Sequence, residues 1–546
     1  MSIKTHISKI FSDALEKMGV FDVEAGITRP DSKEHGDYST NVAMGLSKQL
    51  KKPPRAIAEE IVSLTYQSLT GKSIFEKVEV VGPGFINIFL KKDVVSGFVK
   101  QALEDSSYGK WCVGGGKKVQ VEFVSANPTG PITVANGRGG PLGDSLARLL
   151  EWTGYDVHRE FYVNDRGAKV VHLAGSLEAR YKQALGMPLV LPPEGYPGEY
   201  LLDIAKNIAK EFGEEPLGWD EARRLEFFGK QAVERIVATQ KAVFEKFGIK
   251  FDRWFSEREM AERGEIDQTL SMLSEKGVLY QQDGATYMRS TDFGDDKDFV
   301  VVKSNGEPTY TTTDIAYHIG KFKRGFGHVI DVMGADHHGH TGPMFAALEA
   351  LGQPKDSLEF LLYQLVHLFR GGQQVKMSKS SGEFVTLDEL LSEVGTDSAR
   401  YFFLMRSSDT HLNFDLDLAK SQTMDNPVYY VQYAHVRCCA IADDPRASSA
   451  NPLKADAFEG DLETELAKAI LDFPEEVLGA ANSRAPNRIA AYAEKLSSCF
   501  HSFYHDCRVL GEEQEVADRR MLLVLSTKKV IASALSILGV SAPERM

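Results

Sequence analysis

Cysteine is scarce in this sequence: Cys112, Cys438, Cys439, Cys499 and Cys507 are the five in 546 residues, an odd set with no CxxC spacing. Neither a disulfide framework nor a thiolate zinc site fits that pattern, and a reducing compartment, the cytoplasm, is the expected setting. A basic excess is also missing. With 63 Lys and Arg against 77 Asp and Glu the formal charge is −14, so a polyanionic partner has to be met by local patches rather than by a basic coat. The N-terminus places Ile3, Ile7, Ile10, Phe11, Leu15 and Met18 at helical spacing instead of the unbroken apolar core of a signal peptide. No segment is expected to approach the ~20 apolar residues of a membrane span. There is no internal repeat, no low-complexity tract and no GxxxxGK[ST] phosphate loop. Fractions of 43% hydrophobic and 26% charged residues exclude a collagen-like, mucin-like or largely disordered chain.

At roughly 100 to 200 residues per domain, the length predicts about three domains. Residues 1–108 read as a small α+β module: an amphipathic first helix, a second helical stretch over Arg55 to Leu69, then two strands around Gly82-Pro83-Gly84. From 109 to 407 the order strand, loop, helix, strand in KVQVEFVSA, NPTGPITVANG, RGGPLGDSLARLLEWTG and YDVHREFYVND predicts a Rossmann-like parallel sheet. A helical insertion is expected at about 166–285. Strand signals then resume at DFVVVKS, GHVIDVMGAD and LVHLFRGGQQVKM, and residues 408–546 read as an all-α domain.

Two constellations carry chemistry. In the first, a loop holding Gly130, Pro131, Gly137, Gly139 and Gly140 leads from a strand into a helix with apolar Leu142, Leu146, Leu149 and Leu150. Free N–H groups at such a helix start attract phosphate, although a tight turn without a ligand has the same look. The second is Lys376-Met377-Ser378-Lys379-Ser380 followed by Ser381-Gly382, a cationic, hydroxyl-rich loop suited to a triphosphate. A capping box at Thr386-Leu387-Asp388-Glu389 opens the next helix. Asp336-His337-His338-Gly339-His340 lacks a matching carboxylate or cysteine set, so no bound metal is expected.

Together ANPTGPITVANGRGG and the later KMSKS resemble the two signatures of class I aminoacyl-tRNA synthetases, and within them the arginyl-tRNA synthetases. The resemblance extends to His35 through Asn41, Gly82 through Asn87, Val121-Glu122-Phe123, Tyr162 through Asp165, Gly334-Ala335-Asp336-His337 and the closing Ala542 through Met546. It implies an enzyme that activates L-arginine with ATP, taken as its Mg2+ complex, and transfers arginine to tRNA(Arg), working as a monomer with no membrane partner.

The resemblance also implies site residues. Lys376 and Lys379 neutralise the leaving phosphates, with Thr133 and Asn136 as catalytic donors; Pro128, Gly130, Ala135, Gly137, Arg138, Met377, Ser378 and Ser380 complete the ATP site. Arginine is assigned to Glu122, Ser125, Asn127, Tyr310, Asp314, Asp336 and His337. Contacts to tRNA fall to Tyr38, Asn41, Tyr429, Tyr433, Arg437 and Met546. Without the resemblance, Tyr310 and Asp314 are an i,i+4 pair on an ordinary helix, and aromatics at helical spacing are ordinary core.

The sequence departs from the pattern at the first signature, where Thr133-Val134-Ala135-Asn136 stand in place of His-x-Gly-His. Thr133 and Asn136 still donate hydrogen bonds, whereas the methyl group of Ala135 occupies the place of a glycine. That change keeps a second reading open, a catalytically impaired paralogue that binds tRNA or arginine. A zinc-dependent class I relative such as the cysteinyl or methionyl enzyme is disfavoured by the missing zinc spacing.

Overall fold

The computed structural model describes residues 2–30, 32–67, 74–335, 339, 341–375 and 385–546. The apolar stripe of the N-terminus forms the helix Ile3–Lys17, capped by the Ser2 side chain on the Thr5 N–H and burying Ile3, Ile7, Ile10, Phe11 and Leu15. Strands β1 (Tyr38–Thr40), β2 (Phe75–Val81) and β3 (Phe85–Leu90) form an antiparallel sheet in the order β1-β3-β2. Its hairpin turns through Gly82 and Gly84, at φ 57° and 146°. The expected helix after Pro53 runs over Pro54–Gln67, and a further helix, Val42–Leu50, precedes it.

The central domain is built on a parallel sheet. It contains β4 (Lys118–Phe123), β5 (Asp156–Val163) and β6 (Arg253–Ser256), and, after β7 (Leu279–Gln282), β8 (Ala285–Met288) and β9 (Phe299–Val302), also β10 (His328–Gly334) and β11 (Leu358–Tyr363). The order is β11-β10-β4-β5-β6, which puts β4 at the centre, where the first crossover reverses direction. Ligands of such sheets bind at that switch point, beyond the carboxyl ends of the strands. The helix Gly139–Trp152 lies close against β4 because its glycines allow it; a Cβ on Gly143 would fall 2.1 Å from Phe123 Cγ.

Two expectations are corrected, the end of the insertion and the all-α character of the chain from 408. The insertion is expected to reach about 285, yet β6 returns to the main sheet. Its helices, Ala168–Ala184, Tyr200–Phe212 and Glu221–Lys246, gather around a core of their own that includes Leu173, Leu177, Tyr181, Leu201, Ile208 and Phe228. DFVVVKS forms a strand as expected, β9, which makes a separate antiparallel sheet with β7 and β8. Likewise LVHLFRGGQQVKM supplies β12 (Val366–Arg370) and β13 (Gln373–Gln374), which join β14 (Leu412–Asp415) in a third small sheet. The chain past Ser408 therefore forms one more strand before it turns helical. A short alternating segment reveals that it is a strand but not which sheet it joins.

The C-terminal domain packs the helices Pro427–Ala442, Gly460–Asn482, Asn487–Asp506 and Gln514–Leu538. The last of these corrects the expectation about apolar runs: at a mean hydropathy of 1.7 it is long and apolar enough to cross a membrane, but 67% of its apolar window is buried within the fold. Arg400, fully buried, ties this helix to the central domain. Its Nε donates to Leu538 O at 2.9 Å, Nη1 to Phe247 O at 3.1 Å and Nη2 to Asp144 Oδ2 at 2.5 Å.

Candidate active site

Register alone creates an electrostatic problem at the sheet centre. Glu122 on β4 is aligned with Asp331 on β10 and with Glu160 on β5, so three carboxylates lie abreast on one face. The helix Tyr310–Lys323 covers them. Asp314, Tyr317, His318 and Lys321, with Arg324 just beyond the helix, recur every three or four residues and so share a face. Lys321, fully buried, donates to Glu122 Oε2 at 2.6 Å and to Asp331 Oδ1 at 2.8 Å. Arg324 clamps both oxygens of Glu160, and the Tyr317 hydroxyl donates to Glu160 Oε1 at 2.8 Å. Burial opposes ionisation of Glu160 and Asp331, yet Arg324 on the first and Lys321 with His318 on the second outweigh it and hold both below the usual carboxylate range.

His318 is enclosed by two acceptors: Nδ1 lies 2.7 Å from Asp314 O, and Nε2 lies 2.6 Å from Asp331 Oδ2. Only the imidazolium donates to both. One helical turn before His318, Asp314 bonds no ammonium or guanidinium among the described residues. Burial, reinforced by Glu122, Glu257 and Asp331 and partly offset by His318, pushes its carboxyl up to about 7. Glu257 is raised as well, chiefly by burial, with Tyr162 and Arg166 opposing. The cluster thus pairs its cations with Glu122, Glu160 and Asp331 and leaves excess acid at Asp314 and Glu257, an arrangement that favours a cationic guest.

The end of β4 is strained. Val124 and Ser125 have φ of 69° and 39°, a conformation that costs a non-glycine residue about 1–3 kcal/mol, and more readily so for β-branched valine. The turn aims Ser125 inward, where Oγ donates to Glu122 Oε1 at 2.7 Å and accepts the Tyr162 N–H at 3.1 Å. With Lys321 on its other oxygen, Glu122 is fixed at both ends.

Beyond this turn the first signature is stitched to residues 385–387, at the start of the helix Leu387–Val394. Thr133 and Thr386 form an antiparallel bridge, the Val134 N–H donates to Val385 O at 3.2 Å, and the Leu387 N–H donates to Ile132 O at 2.8 Å. The expected capping box is present at Thr386 and Glu389. Thr133 caps the short helix Val134–Gly137, and its Oγ1 also donates to Asn136 Oδ1 at 2.8 Å. This leaves the Asn136 Nδ2 hydrogens without an acceptor among the described residues.

Three family models tile the chain: an arginyl tRNA synthetase N-terminal domain over residues 4–90, the catalytic domain of class I (R) tRNA synthetases over 98–410, and a DALR anticodon-binding domain over 431–546. The chain belongs to the arginyl-tRNA synthetase family. It is 46% identical to an arginine–tRNA ligase of Desulforamulus reducens, over 96% of this chain and 94% of that one. To the arginine–tRNA ligase of Bacillus subtilis it is 45% identical, over 95% and 93%. Among solved structures, a Campylobacter jejuni chain assigned as an arginyl-tRNA synthetase superposes with a TM-score of 0.77 at 32% identity, covering 84% of this chain and all of that one. The Thermus thermophilus arginyl-tRNA synthetase shares the fold, with a TM-score of 0.78 over the full length of both chains at 23% identity.

Of the residues that the family resemblance singles out, Glu122, Ser125 and Asp314 converge on the acidic pocket, and Tyr310 stands exposed one turn before Asp314. Asn127 is exposed and Pro128 buried in the loop that follows. Lys376, Met377, Ser378, Lys379, Ser380, Asp336 and His337 lie outside the described residues. Gly137 is buried, and a Cβ there would sit 2.9 Å from a Leu387 methyl, so this glycine serves the contact between the first signature and the helix Leu387–Val394. Ala135 is partly exposed beside it.

Two assignments fail on burial. Arg138, expected at the phosphates, is fully buried and spends its guanidinium on backbone carbonyls: Nη1 on Gln364 O at 2.7 Å and Thr410 O at 2.9 Å, Nη2 on Ser407 O at 3.0 Å. It fastens the signature helix to the small sheet behind it. Tyr38, expected at tRNA, is 3% exposed and lies beneath Arg29, which bridges to Asp472 of the C-terminal domain. Asn41, by contrast, is exposed, as is Met546. On the helix Pro427–Ala442, Tyr429 stacks on Tyr433 with the rings 13° apart, Tyr433 Oη accepts from Arg437 Nε at 2.7 Å, and all three are partly exposed. Lys321, His318, Asp331 and Glu257 were missed by sequence reading, although the spacing of Asp314, His318 and Lys321 on one helical face carried the signal for two of them.

Proposed function

We propose that the acidic cluster is the arginine site and that the two signatures bind ATP, so that the chain activates L-arginine to arginyl-adenylate and transfers it to tRNA(Arg), releasing pyrophosphate and AMP. The observation that supports this most directly is Asp314, an acid that bonds no ammonium or guanidinium among the described residues, beside the acids Glu122, Glu160 and Asp331 that are already paired. A planar guanidinium with forked donors satisfies such a carboxylate as a lysine ammonium does not. Tyr310 and Asp314 take the guanidinium, and Glu122, Ser125 and Asn127 take the amino-acid end.

Attack of the arginine carboxylate on the α-phosphate requires alignment and charge neutralisation rather than a protein nucleophile. Lys376 and Lys379 supply cationic charge to the leaving pyrophosphate of Mg2+–ATP, and Thr133 with Asn136 supplies neutral donors. Replacing Lys379 by Ala should lower kcat for activation by ~100- to 1,000-fold while ATP affinity changes far less; equal losses in both remove Lys379 from the transition state.

Residues 1–108 take the tRNA elbow, where Asn41 is exposed, and 408–546 take the anticodon. The Tyr429, Tyr433 and Arg437 stripe offers stacking faces beside a cation. For Tyr433→Ala the KM for tRNA should rise about tenfold with the arginine KM unchanged, because one base–aromatic stack contributes ~1–3 kcal/mol.

Thr133 and Asn136 remain hydrogen-bonding groups in an ordered cap, so the impaired-paralogue reading gains no support from the site. The deciding measurement is arginine-dependent ATP–pyrophosphate exchange with and without tRNA. Exchange in either condition supports the enzyme; exchange in neither overturns it.

A further inference from the structure

We propose that Gln240, carried by the inserted helices, is a positioning residue for arginine activation: it holds the backbone of the 127–130 loop, which joins the arginine pocket to the first signature. Gln240 is 1% exposed, and its Nε2 donates to Asn127 O at 3.2 Å and to Gly130 O at 3.0 Å. A second inserted helix adds Tyr200, whose hydroxyl donates to Thr129 O at 2.5 Å. Three of the four carbonyls of this loop are thus held by side chains from the insertion.

The support behind these donors is rigid. The helix Glu221–Lys246 begins in the separate core of the insertion, through Phe228 and Ala232, and ends in the main core, through Phe244. Gln240 sits between the two. The Oε1 of Gln240 is buried and finds no partner among the described residues. A buried amide left half-satisfied destabilises the fold relative to an apolar side chain of the same length, so stability alone does not account for glutamine here. Its remaining hydrogen-bonding capacity is directed at the loop that presents Asn127 and leads to Thr133.

This inference rests on the reading of the pocket as an arginine-activating site, and the unsubstituted chain tests that reading separately. If it shows no arginine-dependent exchange with or without tRNA, the reading fails and the role of Gln240 fails with it. In an active enzyme, Gln240→Met keeps the length and removes the donor. Its thermal midpoint should stay near the wild-type value, because relief of the unpaired Oε1 offsets the two donors lost to carbonyls of a partly exposed loop, while kcat for exchange falls about tenfold, the scale of a lost aligned hydrogen bond. The arginine KM should stay within about twofold, because Glu122 and Asp314 are untouched. Tyr200→Phe, which deletes only a hydroxyl near the surface, should lower kcat about threefold without a change in midpoint. Wild-type kcat in both variants overturns the proposal. So does a loss of kcat that appears only together with a lowered midpoint, since that marks Gln240 as a purely structural residue.

Discussion

Replacing Asp314 by Asn should raise the arginine KM roughly 100-fold, the scale of truncating one partner of a desolvated charge pair, and should flatten its pH dependence. In the wild-type chain the carboxyl of Asp314 titrates near 7, with burial the main cause and the acids Glu122, Glu257 and Asp331 adding to it. Below that pH it is a neutral acid and holds a guanidinium poorly; above it, it is a carboxylate. Arginine KM should therefore rise as pH falls below about 7, by up to tenfold per pH unit, and the variant should lose this slope. Stability moves the other way. The folded chain keeps a proton that the unfolded chain releases at ordinary carboxylate pH, so the native state loses stability as pH rises from about 4 to 7. Asp314→Asn, freed of that charge, should melt a few degrees higher than wild type at pH 8 in a thermal scan. An unchanged arginine KM across pH 6 to 8 in both proteins removes Asp314 from the site.

Lys321→Met should have the largest effect on folding. Lys321 is completely buried, and its ammonium stays charged because Asp331 and Glu122, in that order, outweigh the cost of burial. Removing it leaves two carboxylates facing each other across adjacent strands, a loss of about 3–5 kcal/mol, visible as a lower urea midpoint for the catalytic domain. Adding Asp331→Asn in the same chain should recover part of that loss, since the amide no longer needs a cation. If the single variant unfolds at the wild-type midpoint, the carboxylate row is not charged as described.

Much of this organisation was legible in the sequence because it depends on local pattern. The apolar spacing of Ile3 to Leu15, the glycines around Pro83, the Thr386 capping box and the crossover after Phe123 each express a rule of short range. What was not legible depends on which strands become neighbours. Glu122, Glu160 and Asp331 belong to three segments, and only the strand order places them abreast and makes Lys321 necessary. The same applies to Arg138 and Tyr38. Each has the composition of a ligand-binding residue, and each is taken by a distant segment, the 407–410 carbonyls for the first and the Arg29–Asp472 bridge for the second. Lys376 through Ser380 are legible from their string alone and lie outside the described residues; what the structure adds is the bridge of Thr133 to Thr386.

That bridge also sets a timetable. Its two sides are made at opposite ends of the catalytic domain, and Arg138 waits in addition for the carbonyls of Ser407 and Thr410. A ribosome-bound chain that has emerged only as far as β11 contains the whole main sheet, yet neither the edge that closes the nucleotide site nor the acceptors for a buried guanidinium. Contacts of such sequence separation form late. These contacts are therefore completed only once the chain has been made through Thr410, and the proposed nucleotide site assembles no earlier than that.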